Sequence, residues 1–286
     1  MYHLKGKVVL ITGAAGGIGA ASARELYAHG ASLVLTDTSQ EAVDQLAQEF
    51  NSQRVLPLAF DVTHAEAAKT VVRQAVEHFG RLDVAFANAG ISWRGVPATL
   101  RTCDEVEFRR IIEVNLFGVW YTMRAALPEV VRNRGQVLVT SSTYAYLNGV
   151  ANAPYAASKA AVESLTRSLR AELSATGASA SVLYPGWTAT AIAKVAFGGN
   201  AIATQMNEAL LPAFLHRAIA PEKVARGVVR GLQKRQPRIV VPARWATISL
   251  MRGLFNVFTD WHLARHARLQ RLLHELEESV RTQTPS

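Results

Sequence analysis

Apolar residues occur along the chain in two rhythms. Short, continuous runs rich in leucine and β-branched residues lie at Lys7–Thr12, Ser32–Asp37, Arg54–Phe60, Leu82–Ala87, Gln136–Ser141 and Ser179–Tyr184. Unbroken apolarity over so few residues predicts strands covered on both faces. Between them, Ile18–His29, Glu41–Phe50, Ala65–Phe79, Glu105–Val131 and Tyr155–Ala175 have helical composition and spacing. The alternation predicts an α/β fold, a single doubly wound parallel sheet flanked by helices. Arg238–Val241 fits a last strand, and no repeat, linker or composition break precedes it. Residues 1–241 are therefore expected to form one domain and 242–286 an extension.

That extension carries Trp245, Ile248, Met251, Phe255 and Phe258 at approximate helical spacing, then Leu269, Leu272, Leu273, Leu276 and Val280. Two amphipathic helices fit the pattern. A stripe of this kind records a buried face without naming its partner. A membrane interface, the protein's own pocket and a second subunit fit equally well.

Composition narrows the classes. The chain has 286 residues and 49% hydrophobic content, enough for one large core and cramped for two. The single cysteine, Cys103, excludes an intrachain disulfide or a cysteine zinc cluster, and suits a packing role in a cytoplasmic protein. The apolar run Val8–Ile11 after Lys5 and Lys7 is too short for a secretory signal. Arg244, Arg252 and Asp260 interrupt the apolar stretch from Pro242 to Trp261, which argues against a transmembrane span. The formal charge of +9 is concentrated: nine basic residues between Arg217 and Arg252 face Glu222 alone. This describes a solvated basic face or attraction to an anionic surface, including peripheral contact with a membrane through the extension. It does not describe a nucleic-acid protein.

The first predicted strand runs into Thr12-Gly13-Ala14-Ala15-Gly16-Gly17-Ile18-Gly19 and then an alanine-rich helix. Glycines in that setting let backbone N–H groups approach a pyrophosphate at the helix N-terminus, so a dinucleotide is expected. Asp37 closes the second strand, where a carboxylate accepts bonds from ribose hydroxyls and repels a 2′-phosphate. Thr38 and Ser39 follow it instead of an arginine. NAD is the expected cofactor, with NADP not excluded.

Taken together with Asp61-Val62, Asn88-Ala89-Gly90, Asn115, Ser142, Tyr155-x-x-x-Lys159 and Pro185-Gly186, in that order, this loop resembles the short-chain dehydrogenase/reductase family over about residues 5–240. The resemblance implies a Rossmann-like fold and NAD(P)-linked oxidation of CH–OH. It implies that Gly13, Gly17, Ile18, Gly19, Asp37, Asp61, Val62, Asn88, Ala89, Gly90, Tyr155, Lys159, Pro185, Gly186, Thr188 and Thr190 border the cofactor. Asp61 and Val62 would flank the adenine, and Thr190 would touch the carboxamide. Ala87 stands where the family usually has Asn. The family also implies a homodimer or homotetramer joined through the helices at Glu105–Val131 and Tyr155–Ala175; the extension after residue 241, which lies outside the resemblance, is compatible with a limit at the dimer.

The chemistry follows from residue types as well. Taking hydride from a carbinol requires its proton to leave, and the reverse requires a donor to the carbonyl oxygen. A phenol can do both if a cation lowers its pKa of about 10. Lys159 lies one helical turn after Tyr155, on the same face. Ser142, at the end of a strand, can hold the substrate oxygen; its neighbour Ser141 is a rival that only the family spacing sets aside. Asn115 interrupts an apolar helix, and the resemblance implies a water relay to the lysine.

Trp93, Tyr144, Tyr146, Leu147 and Trp187 lie around this centre, and Phe197 and Phe214 fall in the variable loop of about residues 188–220, whose Gly198-Gly199-Asn200 turn would let it close. With Trp93, Tyr144 and Trp187 as pocket, the expected substrate is a hydrophobic secondary alcohol or ketone, steroid- or lipid-like. The alternatives are an NADPH-dependent carbonyl reductase and a non-catalytic dinucleotide sensor; intact Ser142, Tyr155 and Lys159 argue against the second. His262 and His266 lack a third ligand, so no metal is expected. Ser142 lacks a nucleophile-elbow pattern, which argues against hydrolysis.

Overall fold

In the computed structural model of the chain, residues 1–95, 97–190, 201–210 and 213–283 are described. The strands are β1 (Val8–Thr12), β2 (Ser32–Asp37), β3 (Val55–Ala59), β4 (Val84–Ala87), β5 (Gln136–Thr140), β6 (Ser179–Pro185) and β7 (Arg238–Val241). They form one sheet in the order β3-β2-β1-β4-β5-β6-β7, with all neighbours parallel. The order reverses between β1 and β4, which opens a crevice at the carboxyl ends of the strands, the usual ligand position in such sheets.

The helices are α1 (Gly17–Ala28), α2 (Gln40–Ala47), α3 (Ala65–Phe79), α4 (Glu105–Ile112), α5 (Gly118–Arg132), α6 (Ala153–Glu172), α7 (Ala201–Leu210), α8 (Ala213–His216), α9 (Pro221–Gln233), α10 (Ala246–Arg265) and α11 (Ala267–Gln283). The two-residue period of β1 divides the core. Val9 and Ile11 pack with Ala23 and Leu26 of α1 and Val224 and Val228 of α9. Val8 and Leu10 pack on the opposite face with Val71 of α3, Met123 of α5 and Val162 of α6. All five residues of β1 and β5 and all seven of β6 are buried. Their continuous apolarity therefore reports helices on both faces.

The expected continuous helix over Glu105–Val131 is instead broken by a turn of π-helix at Glu113–Phe117. The extra residue per turn rotates Asn115 into full burial. It also brings Gly118 so close to Val62 that a Cβ there would lie 2.5 Å from Val62 Cγ2.

The two helices of the extension behave differently. Leu269, Leu272 and Leu276 of α11 are buried against Ala151 and Met206 of the same chain. Glu277 accepts a bond from Thr99 Oγ1 at 2.8 Å and pairs with Arg101 at 3.1 Å. Of the three partners compatible with its stripe, α11 has the protein's own body. In the preceding stripe, Trp245 is fully buried whereas Met251 and Phe258 are exposed. The loop turn Gly198-Gly199-Asn200, with Phe197, lies outside the described residues.

At the amino-terminal ends of the central strands, the buried Asp83 carboxylate accepts bonds from Val8 N (3.0 Å), Lys7 Nζ (3.0 Å) and Arg81 Nε and Nη2 (2.7 Å each), clamping the starts of β1 and β4. Burial alone would raise its pKa, but these donors outweigh burial and hold it below the ordinary value. Asp83→Asn is expected to cost about 3 kcal/mol in urea denaturation at neutral pH. Because the native pKa is depressed, the difference should shrink as pH falls through the carboxylate range.

Candidate active site

The crevice is a cleft of about 720 Å³ whose floor is built by the ends of β1, β4, β5 and β6. Its glycine end leaves no space for side chains. Gly13 has φ +63°, and a Cβ there would approach Ala89 Cα to 2.9 Å; at Gly19 it would meet Gly13 O at 2.1 Å. Gly16 caps α1 without a side-chain bond, and the first turn of that helix carries no acid. Its free N–H groups and positive end therefore suit an anionic pyrophosphate. Gly17 and Ile18 line the same end.

Asn88 joins three strand ends. Its Nδ2 donates to Thr12 O (3.1 Å) and Gly13 O (3.2 Å), and its Oδ1 accepts from Thr140 Oγ1 at 3.1 Å. Thr12 Oγ1 accepts from the N–H groups of Asn88 and Ala89 at 3.0 Å. The Asp37 carboxylate accepts from Ala15 N (3.1 Å) and Thr38 N (2.8 Å) at the cleft wall. Asp61 and Val62 stand beside it. Burial would raise the Asp61 pKa, but bonds from the backbone and hydroxyl of Thr63 turn the net shift downward.

The two serines at the end of β5 separate cleanly. Ser141 is fully buried and its Oγ donates to the backbone carbonyl of Lys159 at 2.7 Å. Ser142 lines the cleft with Tyr155 and accepts from Tyr144 N at 3.2 Å. Of the two hydroxyls, α6 has consumed that of Ser141, and that of Ser142 is the one at the cleft.

Tyr155 and Lys159 both face the cleft from α6, with Nζ 5.5 Å from the phenol ring centroid. Nζ is 2% exposed with the rest of its residue and donates to Thr140 O at 3.0 Å. Gly90 lies against it, since a Cβ there would sit 3.1 Å from Nζ and 3.3 Å from Asn115 Oδ1. Burial pushes the Tyr155 phenol upward, opposed by the Ser142 hydroxyl, and pushes the Lys159 ammonium down to about 8. Burial of both groups sets these two directions.

Asn115 does not reach the cleft. Its Oδ1 accepts from Ile91 N at 2.8 Å, and its Nδ2 donates to Ile91 O (3.0 Å) and Ser158 Oγ (3.1 Å). Trp93 is likewise not a wall of the cleft. Its indole N–H donates to Ala151 O at 3.0 Å, and the ring packs with Ala98 and Ile111.

Pro185 at the end of β6 and, beyond it, Gly186, Trp187, Thr188 and Thr190 all line the cleft. Thr188 Oγ1 donates to Gly186 O at 2.9 Å, and Thr190 lies over Gly17, 2.9 Å from where a Cβ would be. Tyr144 meets Tyr155 edge-on at 5.9 Å and lies 5.8 Å from Trp187. Trp187 stacks at 5.6 Å and 17° on Trp245, which is fully buried. Arg94, Arg110 and Asn152 also line the cleft and were not anticipated. The only signal for Arg110 was its place three residues after Glu107, with which it forms a bidentate pair at 2.9 and 2.7 Å. On a helix this reads as an ordinary surface pair.

The family model of short chain dehydrogenases matches residues 7–200. The chain is 31% identical over 257 residues to a dehydrogenase/reductase SDR family member 7B of Xenopus laevis, covering 87% of this chain and 77% of the relative. It is 29% identical over 266 residues to 11-beta-hydroxysteroid dehydrogenase 1A of Arabidopsis thaliana, covering 91% and 75%. Among solved structures, an alcohol dehydrogenase of Thermococcus sibiricus complexed with 5-hydroxy-NADP superposes with a TM-score of 0.68 at 30% identity, covering 82% of this chain and 95% of that one. The glycine-bordered crevice, the parallel sheet and these matches place the chain in the short-chain dehydrogenase/reductase family, as an oxidoreductase of the CH–OH group that uses NAD(P).

Proposed function

We propose that the protein interconverts a bulky apolar secondary alcohol and its ketone, using NAD in preference to NADP. The convergence of Ser142, Tyr155 and the buried Lys159 on the floor of the cleft carries this reading. When bound, the nicotinamide supplies the carbon that gives or takes hydride and, when oxidised, a positive charge near the phenol.

Tyr155 passes its proton to the carbonyl oxygen in reduction and takes the hydroxyl proton in oxidation. Ser142 holds that oxygen and keeps the phenol oriented. Burial favours the protonated phenol, which suits donation to a ketone. In the oxidative direction the Lys159 ammonium favours the phenolate. Asn115, its amide committed to Ile91 and Ser158, acts as a positioning residue for the space beside Gly90 and Lys159, where a relay water would sit.

Asp37 supports NAD because a 2′-phosphate would meet its carboxylate with no arginine at Thr38 or Ser39. Tyr144 and Trp187 support an apolar substrate, as does the similarity to a hydroxysteroid dehydrogenase. Val106, Phe117, Trp120 and Leu165, exposed on α4, the π turn, α5 and α6, support pairing with a second copy.

A screen of hydrophobic secondary alcohols and ketones, followed by nicotinamide absorbance, tests the reaction. Tyr155→Phe should lower turnover by about 10²–10⁴-fold while dinucleotide binding persists; full activity in that variant would reject the assignment. Titration of the unmodified protein should show tighter NADH than NADPH binding, and Asp37→Ala should narrow the gap. Tighter NADPH binding at the outset would remove the NAD preference.

Lys159→Met should abolish turnover yet stabilise the fold by about 2–3 kcal/mol at pH 7, because it removes a buried ammonium at the expense of one hydrogen bond. The folded-state pKa of about 8 lies below the ordinary 10.5, so the burial cost is complete below about pH 8 and relieved toward 10.5. Denaturation at pH 7 and pH 10 should therefore show the advantage of the variant shrinking at the higher pH.

A further inference from the structure

α10 is attached to the body by one side and turns its apolar side outward. Only Ser249 is fully buried along it. Arg252 Nη1 donates to the buried Glu163 at 2.6 Å, and Asp260 accepts from Asn148 at 2.7 Å. Leu250, Leu254, Val257, Phe258 and Trp261, which recur at three- and four-residue steps along one helical face, are 56–80% exposed. A helix that only covered a core would place these residues inward.

Both ends of the apolar face carry cations. At the N-terminal end the Arg244 guanidinium donates to the backbone carbonyl of Arg217, itself an exposed residue. At the C-terminal end Arg265, Arg268 and Arg271 are exposed, with Arg265 5.1 Å over the Trp261 ring. The one carboxylate of the helix, Asp260, is engaged by Asn148. A second copy meeting this face across a two-fold axis, with the helices antiparallel, would set the Arg217–Arg244 end of one chain against the Arg265–Arg268 end of the other. Such pairing opposes like charges. A layer of apolar chains under anionic headgroups complements both the face and its ends.

We infer that α10 docks on an anionic lipid surface, with Leu250, Leu254, Val257, Phe258 and Trp261 at the headgroup–acyl boundary and the flanking arginines on lipid phosphates. The helix lies on the surface: among the described residues no helix is long and apolar enough to cross a membrane. α10 starts directly after Trp245, the ring behind Trp187 in the cleft. Docking would thus bring the cleft near the phase that dissolves apolar substrates, a consequence that rests on the proposed function, whereas the docking itself does not.

Co-sedimentation of the full chain with phosphatidylcholine vesicles, alone or with roughly one third phosphatidylserine, tests the inference. Binding should be at least ~10-fold stronger to the anionic vesicles, weaken with added salt, and fall by ~10-fold or more in Leu254→Ser/Phe258→Ser. Both substituted residues are exposed, and retained cofactor binding would report an intact fold. Hydrogen exchange on the unmodified chain gives a readout without any variant: amides of residues 250–261 should slow when anionic vesicles are added. Absence of sedimentation, equal binding by the variant, or unchanged exchange would overturn the inference. So would a dimer of the unmodified chain that the double variant converts to monomer, since the face would then belong to a second copy. None of these measurements uses turnover, so they stand whether or not the substrate assignment does.

Discussion

Two hydrogen bonds cross between the end of β5 and α6 in opposite directions: Ser141 Oγ donates to the carbonyl of Lys159, and Lys159 Nζ donates to the carbonyl of Thr140. Together they set the height and rotation of α6 over the sheet. Tyr155, one turn earlier, then comes to the cleft where Ser142 leaves β5. The same ammonium lies against Gly90, and Asn115 ties the neighbouring Ile91 to the π turn. Loosening this strap would displace the phenol, the serine and the β4 loop at once, so the geometry of the cleft and local packing share one set of contacts.

The strap opposes stability in one respect. An ammonium nearly without solvent is unfavourable, and one carbonyl compensates it only in part, which is why its pKa is lowered. The phenol next to it is pushed the other way by the same burial. The fold tolerates the conflict because the sheet supplies a large core on both faces and a second, well-compensated charge cluster at Asp83, at the opposite ends of the central strands. Burial that is costly for each group separately also removes water from the place where proton and hydride would move.

Much of this was legible from local pattern. β2 and β7 match their predicted bounds, and the other strands differ by one or two residues, because continuous apolar runs between helices have few other uses in a chain of this length. The glycine loop was legible because strand, turn and helix agree there. The π turn was not: nothing in Glu113-Val114-Asn115-Leu116-Phe117 distinguishes it from α-helix, and the close passage of Gly118 by Val62 that accompanies it is a tertiary contact. Trp93 misled for the opposite reason. It packs against Tyr155, but the nearby Ala151 carbonyl takes its N–H and the ring joins a local core with Ala98 and Ile111. Likewise, α10 and α11 have comparable stripes, and only tertiary contacts reveal that one is covered by the body and the other is not.

The stack of Trp187 on Trp245 makes the reaction chamber a composite of sequence segments 58 positions apart. One panel of its wall is braced from outside by the tail. Relatives that share the sheet yet end differently would be expected to inherit the proton-handling machinery while shaping their chambers independently. Selectivity in such a scaffold can drift through tail replacement without disturbing the groups that do the chemistry.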